Sequence, residues 1–174
     1  MSTQRDNSPR GLAPLVGDCP KVLILGSFPG VESLRQVAYY AQPRNAFWRI
    51  MSSLVGFDVK LPYDERCQSL TAAGYALWDV IASCSRNGSL DSRIDRESIV
   101  PNKLPDLLAD NATIDKIIFN GRMAQSMFQR HVQPQLTPLQ LSKLTCRYVP
   151  STSPANAGVP EEKKLSAWRA VIFD

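Results

Sequence analysis

The chain has 174 residues, 44% of them hydrophobic and 21% charged, which is enough for one domain with a full core and too little for two. Its longest apolar runs fall far short of a bilayer span, and the opening MSTQRDNSPR has no apolar secretory core, so the expected location is the cytoplasm. A formal charge of +4 permits polyanion binding, but no Lys/Arg tract carries it, so any nucleic-acid contact must come from a shaped surface with scattered Arg and Ser/Thr side chains.

Residues 1–18, rich in Ser, Pro, Gly and Asp and without a period, read as a loosely ordered leader; 19–174 reads as a single domain. KVLILGSF is a continuous apolar run ending in Gly and Pro, the pattern of a strand buried on both faces of a parallel sheet. Residues 74–83, 113–121 and 144–151 share it. Between them lie helical patterns. Asn45 stands before Phe47, Trp48, Ile50, Met51, Leu54 and Val55 as a candidate cap, with Gly56 closing the segment. Shorter helices are expected over 97–110 and 121–132, and a last one in EEKKLSAWRAVIF after Pro160. Strands alternating with helices imply right-handed βαβ units in an α/β fold, a three-layer α/β/α sandwich around a mainly parallel four-stranded sheet. Ligands of such sheets bind beyond the carboxyl ends of the strands, so the loops GSFPG, WDV, FNG and PSTSPAN should converge.

GSFPG (Gly26, Ser27, Phe28, Pro29, Gly30) is neither the dinucleotide pattern GxGxxG nor the hydrolase elbow GxSxG, yet its glycines allow close backbone approach to a ligand. A plain strand-ending turn is the alternative. In the loop Ser151, Thr152, Ser153, Pro154, Ala155 and Asn156, preceded by Pro150, small hydroxyls suit phosphate oxygens, the two prolines add stiffness, and Ala155 can act as an apolar wedge. It also reads as an ordinary surface turn. Asp79 and Asn120 sit where strands end, as base readers or as turn formers. His131, the single histidine, lies after a helix and away from these loops, which argues against a His-based triad. Ser89 and Asp91 read as structural turn residues. Arg44, Arg49, Arg86, Arg93, Arg122 and Arg147 are candidates for phosphate contacts. The cysteines at 19, 67, 84 and 146 contain no CxxC pair, so isolated buried thiols are expected and no metal or other cofactor.

The segment YYAQPRNAFW at 39–48 packs aromatic surface around one amide. Taken in order, GSFPG, YYAQPRNAFW, LWDVIASCSRNGSLDSRI, IIFNG and VPSTSPAN resemble the hypoxanthine-DNA glycosylase family of the uracil-DNA glycosylase superfamily, over about residues 20–172. The chain is also similar to the mismatch-specific uracil glycosylases. The resemblance implies an enzyme of base excision repair that flips a deaminated base from double-stranded DNA, cuts its N-glycosidic bond and leaves an abasic site; a monomer is expected, because one active face on one duplex needs no twofold symmetry. It implies Asn45 as catalytic amide, Tyr40 as the stacking ring, GSFPG as pocket lining, Asp79 on the base-reading strand and 151–156 as the duplex clamp. Better-known members carry an acid in the first motif and a histidine in the second; here those places hold Phe28 or Pro29 and Ser151. The lesion can be hypoxanthine, uracil or xanthine, and a non-catalytic nucleotide- or DNA-binding module is the rival from another class.

Overall fold

The computed structural model describes residues 9–174. The strands are β1 (Val22–Gly26), β2 (Tyr75–Asp79), β3 (Ile81–Ser83), β4 (Val100–Pro101), β5 (Lys116–Asn120) and β6 (Thr145–Val149). The helices are α1 (Val31–Gln36), α2 (Phe47–Val55), α3 (Tyr63–Ala72), α4 (Leu104–Asp110), α5 (Arg122–His131), α6 (Pro138–Lys143) and α7 (Glu161–Ile172). Strands β2-β1-β5-β6 form the central sheet, all in parallel, while β3 and β4 make a small antiparallel ribbon.

The apolar strand runs resolve into a period of two, as side chains alternating across a sheet require. Leu23, Leu25, Ile117 and Phe119 share one core with Phe128 of α5 and Leu104 of α4. Ile24, Leu77 and Ile118 face the other way, into a core with Phe47 of α2, Leu70 of α3 and Trp168 of α7. Burying both faces makes the sandwich. It also fixes the register, which sets Gly26 beside Asp79 and Asn120 beside Val149. The carboxyl ends of the four parallel strands are therefore neighbours in one row. No helix among the described residues is long and apolar enough to cross a membrane.

Four sequence expectations need correction. The leader was expected to extend to residue 18; positions 1–8 lie outside the described residues, but the chain from Arg10 onward packs as a strap on the fold. Leu15 exchanges backbone bonds with Leu77 at 2.8 and 2.9 Å, and Gly11 N–H donates to Ala82 at 2.7 Å. Strand β2 is a sheet edge, and covering its unpaired backbone is what recruits a segment that has no periodicity of its own. The run at 74–83 is not one strand, because the chain leaves the sheet after Asp79 and β3 pairs with β4 instead. The expected helix over 97–110 is confined to α4, since Pro101 and Pro105 allow only a strand end and a helix start there. Of the cysteines, Cys67 and Cys84 are buried as expected, but Cys19 and Cys146 are exposed. Three helices were not anticipated, among them α3, whose sequence YDERCQSLTA buries only Cys67 and Leu70 and so shows little apolar period. Helix α6 carried a readable signal, the capping box from Thr137 to Gln140.

Candidate active site

A cavity of about 660 Å³ opens at the carboxyl ends of the parallel strands. Asn45, Tyr40, Asp79, Asn120, the whole 26–30 loop and the whole 151–156 loop line it together. The expected convergence of distant segments is therefore present. The structure adds two wall residues that read as structural in the sequence, Ser89 and Asp91, and places Arg122, a candidate phosphate contact, beside them in the lining.

The segment between α1 and α2 is a hook held by its own polar groups. Val37 and Tyr40 both take left-handed backbone, with φ of 52° and 55°, a conformation that β-branched and bulky residues avoid. Ser33 fixes the hook, its carbonyl accepting from Ala38 N–H at 3.0 Å and its hydroxyl from Ala41 N–H at 3.2 Å. Tyr39 is the anchor: its hydroxyl donates to Ala13 at 2.9 Å, and its carbonyl accepts from the Trp48 indole at 2.9 Å. Tyr40 is thereby turned to the cavity, one ring face stacked on fully buried Phe47 with centroids 4.0 Å apart. Such offset stacking orients a ring without using its polar end.

Asn45 is not the cap of α2, as the sequence suggested; Ala46 occupies that position, with no side-chain cap. The Asn45 carboxamide oxygen instead accepts from Phe47 N–H at 3.0 Å in an Asx turn. One acceptor site of the oxygen is used. The other, and the amide N–H₂, remain available at the cavity.

The 151–156 loop is braced from beneath. Thr152, expected as a DNA contact, is 1% exposed and points inward. Its N–H donates to the Asn120 carboxamide oxygen and its hydroxyl accepts from the Asn120 amide, both at 2.9 Å. Its carbonyl accepts from Ala46 N–H at 3.0 Å. Asn120, expected as a base reader, is thus committed to clasping the loop. The neighbouring Gly121 has φ 105°, and a Cβ there would approach the Ser151 Cβ to 3.0 Å, so both conformation and space demand glycine. Ser151, Ser153, Pro154 and Asn156 remain partly accessible, and Ala155 is exposed at the tip. The hydroxyls of Ser151 and Ser153 accept from Ser153 and Ala155 N–H groups at 3.2 Å, and their own protons are free to donate outward. Lys164, nearly buried in α7, lies 3.5 Å from the Ser153 carbonyl.

The opposite wall is less satisfied. In the GSFPG loop the carbonyls of Gly26 and Ser27 accept from Val80 and Ile81 N–H groups at 2.9 and 3.0 Å, and that of Pro29 accepts from Arg86 at 2.6 Å. The Gly30 carbonyl accepts from Leu34 N–H at 3.0 Å. The Arg86 guanidinium lies 4.8 Å over the Phe28 ring, with Nε and Nη1 buried and unpartnered. Ser27 donates to Asp91 at 2.8 Å. Asp79, 4% exposed, has an Oδ2 without a hydrogen bond, as does the buried Tyr40 hydroxyl. Burial, reinforced by the Asp91 carboxylate and opposed by Arg86, raises the Asp79 carboxyl to about 7. Burial also raises Asp91, against Ser27 and Arg86, and raises the Tyr40 phenol.

The remaining candidates are placed elsewhere or at the rim. His131 ends α5 and is not part of the cavity lining. Arg49 pairs with Glu161 at 2.7 Å and Arg147 with Asp174 at 3.5 Å, so neither is a free phosphate contact. Arg122 lines the cavity with its guanidinium 5.0 Å over Tyr148, and Arg44 and Arg93 are exposed.

Similarities to known proteins agree with this architecture. A protein of Methanosarcina acetivorans named hypoxanthine DNA glycosylase is 32% identical over 164 residues, covering 94% of this chain and 97% of the relative. One of the same name from Methanosarcina barkeri is 34% identical over 114 residues, covering 65% and 71%. A solution NMR structure from Methanosarcina acetivorans, provisionally named a uracil DNA glycosylase, superposes with a TM-score of 0.74 at 30% identity, over 95% of this chain and 99% of that one. Residues 14–174 match the family model for the uracil DNA glycosylase superfamily, and the chain belongs to that superfamily.

Proposed function

We propose that this protein is a monofunctional DNA glycosylase that extrudes hypoxanthine from deoxyinosine sites in duplex DNA and hydrolyses its N-glycosidic bond. The observation that carries the reading is the Ala46 N–H bond to the Thr152 carbonyl, because it ties the residue next to Asn45 to the loop suited to grip the backbone. A phosphate grip, a stacking ring and a water-positioning amide on one cavity are what base extrusion needs. The names of the two Methanosarcina relatives support hypoxanthine as the base.

In this reading Ser151, Ser153 and the backbone around Pro154 hold phosphate oxygens while Ala155 wedges the stack. The flipped base lies against Tyr40, a contact worth about 1–3 kcal/mol in nucleic-acid sites. Extrusion costs a few kcal/mol, least for a poorly paired base. A neutral amide does not take a proton from water; Asn45 orients it, with its rotamer fixed by the Phe47 bond. Bond cleavage therefore runs ahead, an oxocarbenium-like sugar forms, and the oriented water adds to C1′. Charge on the leaving base is met by donors already aimed at it, the preorganised electrostatics that lower such barriers. One active face on one duplex suits a monomer, and a DNA substrate agrees with the cytoplasmic placement expected from the sequence.

Labelled duplexes carrying deoxyinosine, deoxyuridine or deoxyxanthosine, followed by alkaline cleavage of abasic sites, test the proposal. Strand breaks with inosine are expected. Breaks with uracil alone would favour a uracil or mismatch glycosylase, and binding without breaks a non-catalytic DNA-binding module.

A further inference from the structure

Asp79 ends β2 on the cavity wall with almost no accessible surface, and its Oδ2 has no hydrogen bond. Among the described residues no cation lies within ion-pair distance of it. The Tyr40 hydroxyl, also unpartnered, sits nearby, since a Cβ on Gly26 would collide with Asp79 Oδ1 and lie 3.3 Å from that hydroxyl. Gly26 is the floor beneath both groups. A buried carboxylate without donors is costly, so the group is held as the neutral acid and carries a proton that no protein acceptor takes up.

We propose that Asp79 is the general acid of base release, its carboxyl proton passing to N7 of the purine as the bond from C1′ to N9 breaks. The inference rests on the glycosylase reading and assigns it a proton donor. The electron pair of the C1′–N9 bond moves onto the purine, the Asp79 proton adds at N7, and a neutral base departs. Water oxygen, oriented by Asn45, bonds to C1′, and the proton it loses restores the Asp79 acid. No oxidant, metal or co-reactant enters. A purine requires this more than uracil does, because a purine has a basic N7 to receive a proton, whereas uracil leaves as a delocalised anion.

The groups around Asp79 set when it carries the proton. Asp91, from the turn at 91–93, raises its affinity for the proton, Arg86, from the segment after β3, lowers it, and Tyr39 and Tyr40 in the hook face it as neutral phenols. With the carboxyl at about 7, the donor is present at neutral pH and lost above it.

Single-turnover release of hypoxanthine by the full chain, compared with release from 7-deaza-2′-deoxyinosine across about pH 5 to 9, tests this. The wild-type rate should fall as pH rises through about 7, and Asp79→Asn should lower it by roughly a hundredfold and flatten the profile. Substituting carbon for N7 should cost the wild type a similar factor, and the two losses should not add. Asp91→Asn should move the fall to lower pH. Wild-type release of the 7-deaza base at the inosine rate overturns the assignment without any variant having to fold. So does an Asp79→Asn enzyme with the wild-type profile. A wild-type protein inert on every lesion overturns the glycosylase reading, and this assignment with it.

Discussion

The two walls of the cavity are built on opposite principles. On the 151–156 side, Thr152 has its N–H, hydroxyl and carbonyl all bonded, and Asn120 gives both ends of its amide to that residue. On the 26–30 side, the lining residues Tyr40 and Asp79 contribute two of the five buried side-chain polar atoms left without a partner among the described residues, and Arg86, packed behind that wall against Phe28, contributes two more. Buried polar groups in folded proteins are nearly always bonded, so a concentration of exceptions on one wall marks where a ligand supplies the partners. In the proposed function the satisfied wall is the rigid rest for the DNA backbone, and the unsatisfied wall receives the base edge.

The largest expected effect removes the amide that lines the cavity with both walls. Asn45→Ala should reduce base excision on the order of a hundredfold or more, with duplex affinity nearly unchanged by fluorescence anisotropy. A variant that instead unfolds would show that Asn45 serves only the turn before α2.

Next comes the penalty stored in the unsatisfied wall. Asp79 has a folded value of about 7 against an ordinary 3.8, so its contribution favours the fold below the ordinary value and is lost as pH rises through the folded one. Asp79→Asn removes the titration. It should stabilise the protein at about pH 8 by as much as roughly 4 kcal/mol relative to wild type, the gain shrinking toward about pH 4, measured by urea unfolding. An equal effect at both ends would mean that Asp79 is not held neutral.

The satisfied wall should respond in the other sense. Asn120→Ala leaves two buried Thr152 groups unpaired and should cost about 2 kcal/mol of stability, with duplex binding weakened several-fold as the loop loses its brace. Unchanged binding would show that the loop is rigid without the clasp. The smallest effect is expected at Arg49→Ala, because the Arg49–Glu161 pair is largely solvated, and thermal unfolding should shift by less than about 1 kcal/mol equivalent.

The sheet and the convergence of its loops were legible because buried parallel strands are apolar runs that stop at Gly or Pro, and KVLILG and KIIFNG do so. The roles of individual polar residues were not. Asn120 at a strand end looks the same whether its amide faces a base or Thr152, and its partner is 32 residues away. Ser27 meets Asp91 across 64 positions and Arg86 meets Pro29 across 57, contacts without any period, so the wall at 89–92 and the arginine behind it had no local signal. The strap at 10–17 was missed for a related reason, since its order is imposed by the edge of β2 rather than by its own composition.

That strap has a practical consequence for handling the protein. The family match begins at residue 14, yet the Leu12 carbonyl accepts from the Trp78 indole at 3.0 Å and the Ala13 carbonyl from the Tyr39 hydroxyl at 2.9 Å. Trimming the gene to the matched span would remove both acceptors at once and strand an indole and a phenol in the interior. The shortened polypeptide would then report on a weakened hook beneath Tyr40 rather than on catalysis, so kinetic comparisons belong on a version that retains everything from Arg10.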